Sequence, residues 1–257
     1  MARLIFLGTA AALPTADRTN TALAIVPDMP GIGNGLLIDS GGDVYCALLR
    51  AGLGPDAISD LFITHAHIDH IGSLPSLLES FRLGGRCAPL RIWASSPVLE
   101  VAHGLVRVFG FELKLDQWPY DITFTPVEHG QSLTLAGLPA QTFSMDHTVP
   151  TLGLRLELPD GVLAYTCDTQ PNPHIAELSQ NAKTLITEST FLNKYVAEAR
   201  STRHLTAHEA GQLAAACGAE RLALVHLGAT PEELRAEAAQ AFSGEIIVPN
   251  DGDTLTV

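Results

Sequence analysis

An α/β fold is what this sequence predicts, and three observations lead there. Short β-type runs alternate with amphipathic helical patterns from end to end. Hydrophobic residues make up 46% and charged residues 17% of the 257, which supplies a packed core and lies far from the composition of disorder. No linker, low-complexity tract or internal repeat divides the chain, so one domain over 1–257 is expected, a length that single α/β cores reach.

Strand-like runs open the chain at Arg3 to Leu7, Thr21 to Val26 and Leu36 to Asp39. GIGNG, Gly31 to Gly35, precedes a strand instead of opening a helix, so it reads as a turn and not as a phosphate loop. Leu61 to Thr64 forms the next run and leads into helical spacing from Ile68 to Leu83; Leu90 to Ala94 and a helix over Pro97 to Phe109 follow. Between Phe111 and Ala140, Pro119, Pro126, Gly130 and Gly137 break the pattern into short hairpin-like pieces. Strands return at Thr151 to Leu158 and Val162 to Thr166, and helices at Ala207 to Cys217 and Pro231 to Phe242. Strand-rich halves followed by helices suit two sheets packed face to face with helices outside.

Charge excludes some functions. Fifteen Lys and Arg against 28 Asp and Glu give a net charge of −13, which argues against a broad nucleic-acid surface. Cys46, Cys87, Cys167 and Cys217 are scattered without a CxxC pair, as fits a reducing cytoplasm. The N-terminal apolar run is too brief for a secretion signal, and no run approaches a membrane span, so a soluble cytoplasmic protein is expected.

The chemistry concentrates in THAHIDHIG, Thr64 to Gly72. His65, His67, Asp69 and His70 follow the apolar run LFIT and precede a helix. A strand sends alternate side chains the same way, so His65 and His67 reach one metal, and the turn into the helix swings Asp69 and His70 towards a second. Imidazoles with carboxylates and no paired thiolates suit catalytic zinc, with manganese or iron as alternatives. A solvated polar turn is the plainer reading, but these side chains packed so tightly at a strand end would be costly to bury without ions.

His65-Ala-His67-Ile-Asp69-His70 resembles the HxHxDH signature of metallo-β-lactamase-fold hydrolases. The resemblance implies a four-layer αββα sandwich of two mixed sheets flanked by helices, with further ligands from later strand ends. His147 in FSMDHTVP, Asp168 in LAYTCDTQ and His226 in RLALVHLG resemble those positions. The implied sets are His65, His67 and His147 on one metal and Asp69, His70 and His226 on the other, with Asp168 bridging. Cys167 replaces the glycine usual before the bridging aspartate, either as a thiolate aimed at the metals or as a small buried apolar residue. Two such dications, which the resemblance implies to be zinc, lower the pKa of a bridging water enough to supply hydroxide near neutral pH.

FLGTAAALPTADRTNT, ITEST and RHLTAHEAG resemble the tRNase Z branch and its phosphodiesterase relatives across nearly the whole chain. By that resemblance His204 protonates the leaving group and Glu188 orients it, beside Asp69 as a catalytic residue; alternatively Thr206 to Glu209 is a plain helix cap and His204 is structural. His103, His129, His174 and His208 match no family position. Arg18, Lys194, Arg200 and Arg203 could surround a phosphate or form a solvated face. The short interval from His147 to Asp168 lacks the basic tRNA-clamping arm usual in the branch. The expected substrate is therefore a tRNA 3′ end or a smaller phosphodiester, with a homodimer carried over from the branch. An arylsulfatase-like or lactonase-like hydrolase and a non-catalytic metal-binding scaffold are the alternatives.

Overall fold

Alternating apolar side chains place the first strands between two hydrophobic layers. The computed structural model describes residues 2–27, 35–111 and 118–257. In β1 (Ala2–Gly8), Leu4 and Phe6 join one buried cluster while Ile5 and Leu7 join another. β2 (Ala22–Pro27) and β3 (Gly35–Ile38) repeat the division, with Leu23, Ile25, Leu36 and Ile38 on one side and Ala24, Val26 and Leu37 on the other. A strand apolar on both faces must be covered on both, and each such side chain contributes ~1.5–3 kcal/mol when buried.

β4 (Ile58–Phe62), β5 (Leu90–Ala94) and β6 (Ile122–Pro126) extend this sheet. The second sheet holds β7 (Ser132–Leu135), β8 (Leu138–Met145), β9 (Thr151–Leu158), β10 (Gly161–Tyr165), β11 (Ala182–Ser189), β12 (Arg221–Leu227) and β13 (Glu245–Ile247). The final strand, β14 (Thr254–Thr256), returns to the edge of the first sheet beside β1. Each sheet has seven strands, in the orders β14-β1-β2-β3-β4-β5-β6 and β13-β12-β11-β10-β9-β8-β7.

Both sheets are mixed, as expected. β1, β2 and β3 pair antiparallel and β3 to β6 parallel; β8, β9 and β10 pair antiparallel and β10 to β13 parallel. The same order of pairings thus occurs twice. Helices α1 (Val44–Arg50), α3 (Leu74–Leu83) and α4 (Ser96–Val108) cover the outer face of the first sheet. Helices α5 (His174–Leu178), α7 (Ala207–Cys217) and α8 (Pro231–Ala238) cover the second, which completes the αββα sandwich.

Some expectations need correction. The helix expected from Ile68 to Leu83 is two helices, α2 (Ile68–Ile71) and α3. The break falls at Gly72 and Ser73, where the Ser73 amide and hydroxyl both donate to the Ser40 carbonyl and pull the chain aside. β4 begins at Ile58, because Ile58 and Asp60 already pair with β3. α8 ends at Ala238, four residues short of Phe242 in number, with a turn beyond it. The pieces expected between Phe111 and Ala140 are regular strands, β7 and β8 turning tightly through Ala136 and Gly137, both at positive φ. Residues 112–117 of that stretch, and Gly31 to Asn34 of the GIGNG turn, lie outside the described residues. Among the described residues no helix is long and apolar enough to cross a membrane.

Candidate metal centre

The parallel strands of both sheets end at one edge, and the chain kinks there. Among the described residues, six non-glycine residues have positive φ, and Asp39, Cys167, Arg203 and His226 of these stand around this edge. Left-handed backbone at a strand end re-aims a side chain away from the sheet faces, at a cost that clusters at functional sites. His226 shows the device most clearly. Glu188 pairs with Val225 and Ser189 with Leu227, so His226 is the extra residue of a bulge, its φ at +53°.

The residues singled out in the sequence converge. Nε2 of His65 and Nε2 of His147 each lie 3.1 Å from Nδ1 of His67. Oδ2 of Asp168 lies 3.8 Å from the His65 nitrogen and 4.0 Å from that of His147. On the other side, Oδ2 of Asp69 lies 3.5 Å from Nε2 of His70 and 3.3 Å from Nε2 of His226. The same Asp168 oxygen stands 3.4 Å from His70 and 3.2 Å from His226, between the two groups. The ligand atoms within each group lie within 4.8 Å of one another.

Oxygen acceptors orient these rings. His70 donates its Nδ1–H to Asp39, 2.8 Å away, and His147 donates its own to the Arg203 carbonyl at 3.0 Å. The Thr64 hydroxyl donates to Asp39 at 2.9 Å and accepts from His65 Nδ1 at 3.0 Å. Thr190 repeats the arrangement: its hydroxyl donates to Glu188 at 2.6 Å and accepts from His226 Nδ1 at 2.8 Å. In all four rings Nδ1 is engaged by an oxygen and Nε2 is turned inward, the orientation a metal ligand needs.

The donor set fits divalent cations. Burial, and then His70, holds the His65 imidazole well below its ordinary pKa, and burial lowers His67 and His147, so these rings are neutral at pH 7. Burial would raise Asp168, yet His226 and His70 hold it well below the carboxylate range. Burial would lower His70, yet Asp168 and Asp39 hold it well above. An acidic oxygen set among convergent imidazoles is a donor arrangement that suits a divalent cation. Nε2 of His70 and Oδ1 of Asp168 are both buried without a hydrogen-bond partner, which leaves them free to ligate.

His204 stands beside this cluster. Its Nδ1 lies 2.9 Å from both oxygens of Glu188, a carboxylate fully buried on β11. Its ring stacks on His226 with centroids 5.4 Å apart and meets His147 edge-on at 4.9 Å. Burial would lower the imidazole, but the Glu188 carboxylate outweighs it and carries the pKa up to about 9. The helix cap weighed against this role is also present, since Thr206 and Glu209 form a capping box on α7. Both arrangements coexist.

Other candidates are not brought here. Cys167 is fully buried, and its Sγ donates to the Leu152 carbonyl at 3.4 Å, so it packs as an apolar residue while its backbone takes the left-handed turn. His103 meets Phe124, His129 meets His174, and His208 bonds Gln212. The four cations do not form one cluster. Arg200 pairs with Glu209 and Arg203 with Asp146, whereas Arg18 and Lys194 line a separate cavity. Asp39, Thr64 and Thr190 escaped the reading of the sequence; the only sign of Asp39 was an acid closing an apolar run.

Comparison with known proteins gives the family and the fold. The family described as "Beta-lactamase superfamily domain" matches residues 35–227. The chain is 31% identical to "Ribonuclease Z" of Natronomonas pharaonis, over 99% of this chain and 97% of that protein. It is 28% identical to "Ribonuclease Z" of Halorubrum lacusprofundi, again over 99% and 97%. Among solved structures it resembles the metallo-beta-lactamase fold protein YhfI from Bacillus subtilis, with a TM-score of 0.84, 22% identity and coverage of 99% and 98%. The short form of human tRNase Z matches with a TM-score of 0.77, 21% identity and coverage of 99% and 98%.

Proposed function

The chain belongs to the metallo-β-lactamase superfamily, in its ribonuclease Z-like branch, and on that premise we propose that it is a metal-dependent phosphodiesterase that cleaves a tRNA 3′ end or a smaller phosphodiester. The observation that carries the reading is the carboxylate-bound His204 at the rim of the convergent ligand groups, beside Asp168 and His226. In the proposed sets His65, His67 and His147 hold one ion and Asp69, His70 and His226 the other, with Asp168 shared. When bound, two divalent cations supply Lewis acidity that eases ionisation of water and polarises a phosphoryl oxygen.

The chain's own groups supply the rest. Glu188 fixes Nδ1 of His204, so Nε2 presents the proton to the departing oxygen, which leaves as an alkoxide and gains from a positioned acid. Asp69, between His70 and His226, orients the attacking water as well as ligating.

One observation favours the smaller substrate. β9 and β10 are joined by Pro159 and Asp160 alone, so no arm stands between His147 and Asp168. The match to the Natronomonas protein also runs over 305 positions against 257 residues here, so that relative carries segments this chain lacks. Zinc is the proposed metal, supported by an imidazole and carboxylate donor set without thiolate. A cytoplasmic homodimer is the proposed form; the four cysteines, all unpaired, support the compartment, and sedimentation tests the assembly.

The deciding assay sets precursor tRNA beside bis(p-nitrophenyl) phosphate with zinc-loaded protein. Cleavage of the second alone selects the smaller substrate. Hydrolysis of aryl sulfate or lactone with neither phosphodiester would overturn the reading.

A further inference from the structure

We propose that Arg203 is a positioning residue that couples the candidate ligand His147 to the candidate acid His204, so that the two rings are placed together. The inference rests on the phosphodiesterase reading above, which gives those rings their roles. A guanidinium neither ligates a metal nor gives up its proton near neutral pH, so Arg203 has no direct part in the chemistry. Its side chain is 49% exposed, and its pair with Asp146 at 3.1 Å is of the exposed kind that adds little to stability. Its contacts matter for a different reason.

One peptide unit joins the two histidines. The Arg203 carbonyl accepts the Nδ1–H of His147 at 3.0 Å, and the amide in the same plane, that of His204, donates to the Ala199 carbonyl at 2.8 Å. A peptide group is rigid, so the His147 ring and the Cα that carries the His204 ring are fixed to one plane. Left-handed backbone sets the tilt of that plane, since Arg203 caps α6 (Val196–Thr202) with φ at +56°. Such a conformation costs a residue with a side chain and persists only where its surroundings hold it. The guanidinium supplies the hold. Its Nη1 donates to the His147 carbonyl at 2.9 Å as well as to Asp146, whose other carboxylate oxygen accepts from Gln170 at 2.7 Å. Arg203 thus grips His147 twice, by its carbonyl on the ring and by its guanidinium on the backbone. Arg200 closes the clasp on the other side, donating to the His204 carbonyl at 3.1 Å and to Glu209. A His147 ring held at the ligand group therefore holds the His204 backbone as well.

Hydrogen exchange and kinetics on the full chain test the coupling. Zinc should slow exchange of the His204 amide in the wild-type protein, because a ligated His147 keeps its grip on the Arg203 carbonyl. Arg203→Met keeps the reach of the side chain and loses its donors. In that variant the slowing at His204 should fall several-fold, whereas slowing at the Leu227 amide, beside His226, should remain. Arg203→Lys, which keeps a donor, should recover part of it, and Arg82→Met, on α3, should change nothing. With zinc saturating, Arg203→Met should lower kcat about tenfold at unchanged KM on methyl phenyl phosphate, whose leaving group is poor, and far less on methyl p-nitrophenyl phosphate. In a His204→Ala background the same substitution should cost nothing further. Equal slowing of the His204 amide in wild type and Arg203→Met overturns the proposal, as does no slowing in either. An equal loss of kcat on both esters, or a further loss in the His204→Ala background, overturns it too. If the wild-type protein hydrolyses neither ester, the phosphodiesterase reading fails, and the exchange of the His204 amide alone decides whether Arg203 joins the two histidines.

Discussion

An imidazole ligates well only if the partner of its other nitrogen holds it still, and here Asp39 does this for two rings at once, His70 directly and His65 through Thr64. Asp39→Asn tests the point cleanly, since asparagine tolerates the φ of +65° at this position while removing the charge. Metal affinity, measured by chelator competition, should fall about 10–100-fold with unchanged circular dichroism; undiminished affinity would reduce Asp39 to a strand-end cap. His204 belongs to a different step. His204→Ala should keep its metal content and slow turnover by about 10²–10⁴-fold, most for poor leaving groups, so an equal loss on activated esters would argue against an acid. The His65 to His70 group was legible because its members are neighbours in sequence. Asp39 and Thr190 were not, because their partners lie 31 and 36 residues away and only the fold pairs them.

At the scale of elements, the stitch that holds the site's strand in place is Asp60 on β4, a buried carboxylate far from any ligand. It accepts from Arg91 at 2.8 and 2.7 Å, from Trp93 at 2.8 Å and from Ser59 at 2.6 Å, which ties β4 to β5. It also accepts from the Ala136 amide at 2.9 Å, in the left-handed turn between β7 and β8, and so links the two sheets. Burial pushes its pKa up, but the bonds from Arg91, Ser59 and Trp93 outweigh that and hold it below the ordinary value. A depressed native pKa gives stability that is present above the unfolded value, about 4, and is lost as pH falls through the native one. Asp60→Asn should therefore cost about 2–4 kcal/mol in urea unfolding at pH 7. The gap to wild type should shrink in acid, and a gap of equal size at pH 3 would show that charge is not what ties the strands. Elements with clean periodicity, such as β5, β9 and α7, were legible to the residue. The break between α2 and α3 was not, because helical spacing continues through Gly72 and Ser73 and the cause is a contact with distant Ser40.

Across the whole molecule, the repeated order of pairings gives two similar sheets whose parallel strands end at a common edge, and the candidate site is the seam between them. Nothing in the sequence announces this repeat, since equal pairing needs only equal hydrophobic alternation and leaves residue identities free. His65, His67, Asp69 and His70 come from the first sheet's side, and His147, Asp168 and His226 from the second. Backbone contacts already cross there, from the Leu152 amide to the Thr64 carbonyl at 3.1 Å and from the Leu227 amide to the Thr9 carbonyl at 2.9 Å. Ions that bind only when both sheets are in register stabilise the fold by linkage, ~4 kcal/mol per site at a free concentration a thousand times Kd. For a protein of this length that is a shift in Tm on the order of 10 °C per site. Removing metal with a chelator should lower Tm by at least this much, and zinc should restore it. Asp168→Asn should shrink the shift most, because the carboxylate it replaces faces both ligand groups. A Tm indifferent to chelator would mean that the seam holds without ions and that the convergent imidazoles have another purpose.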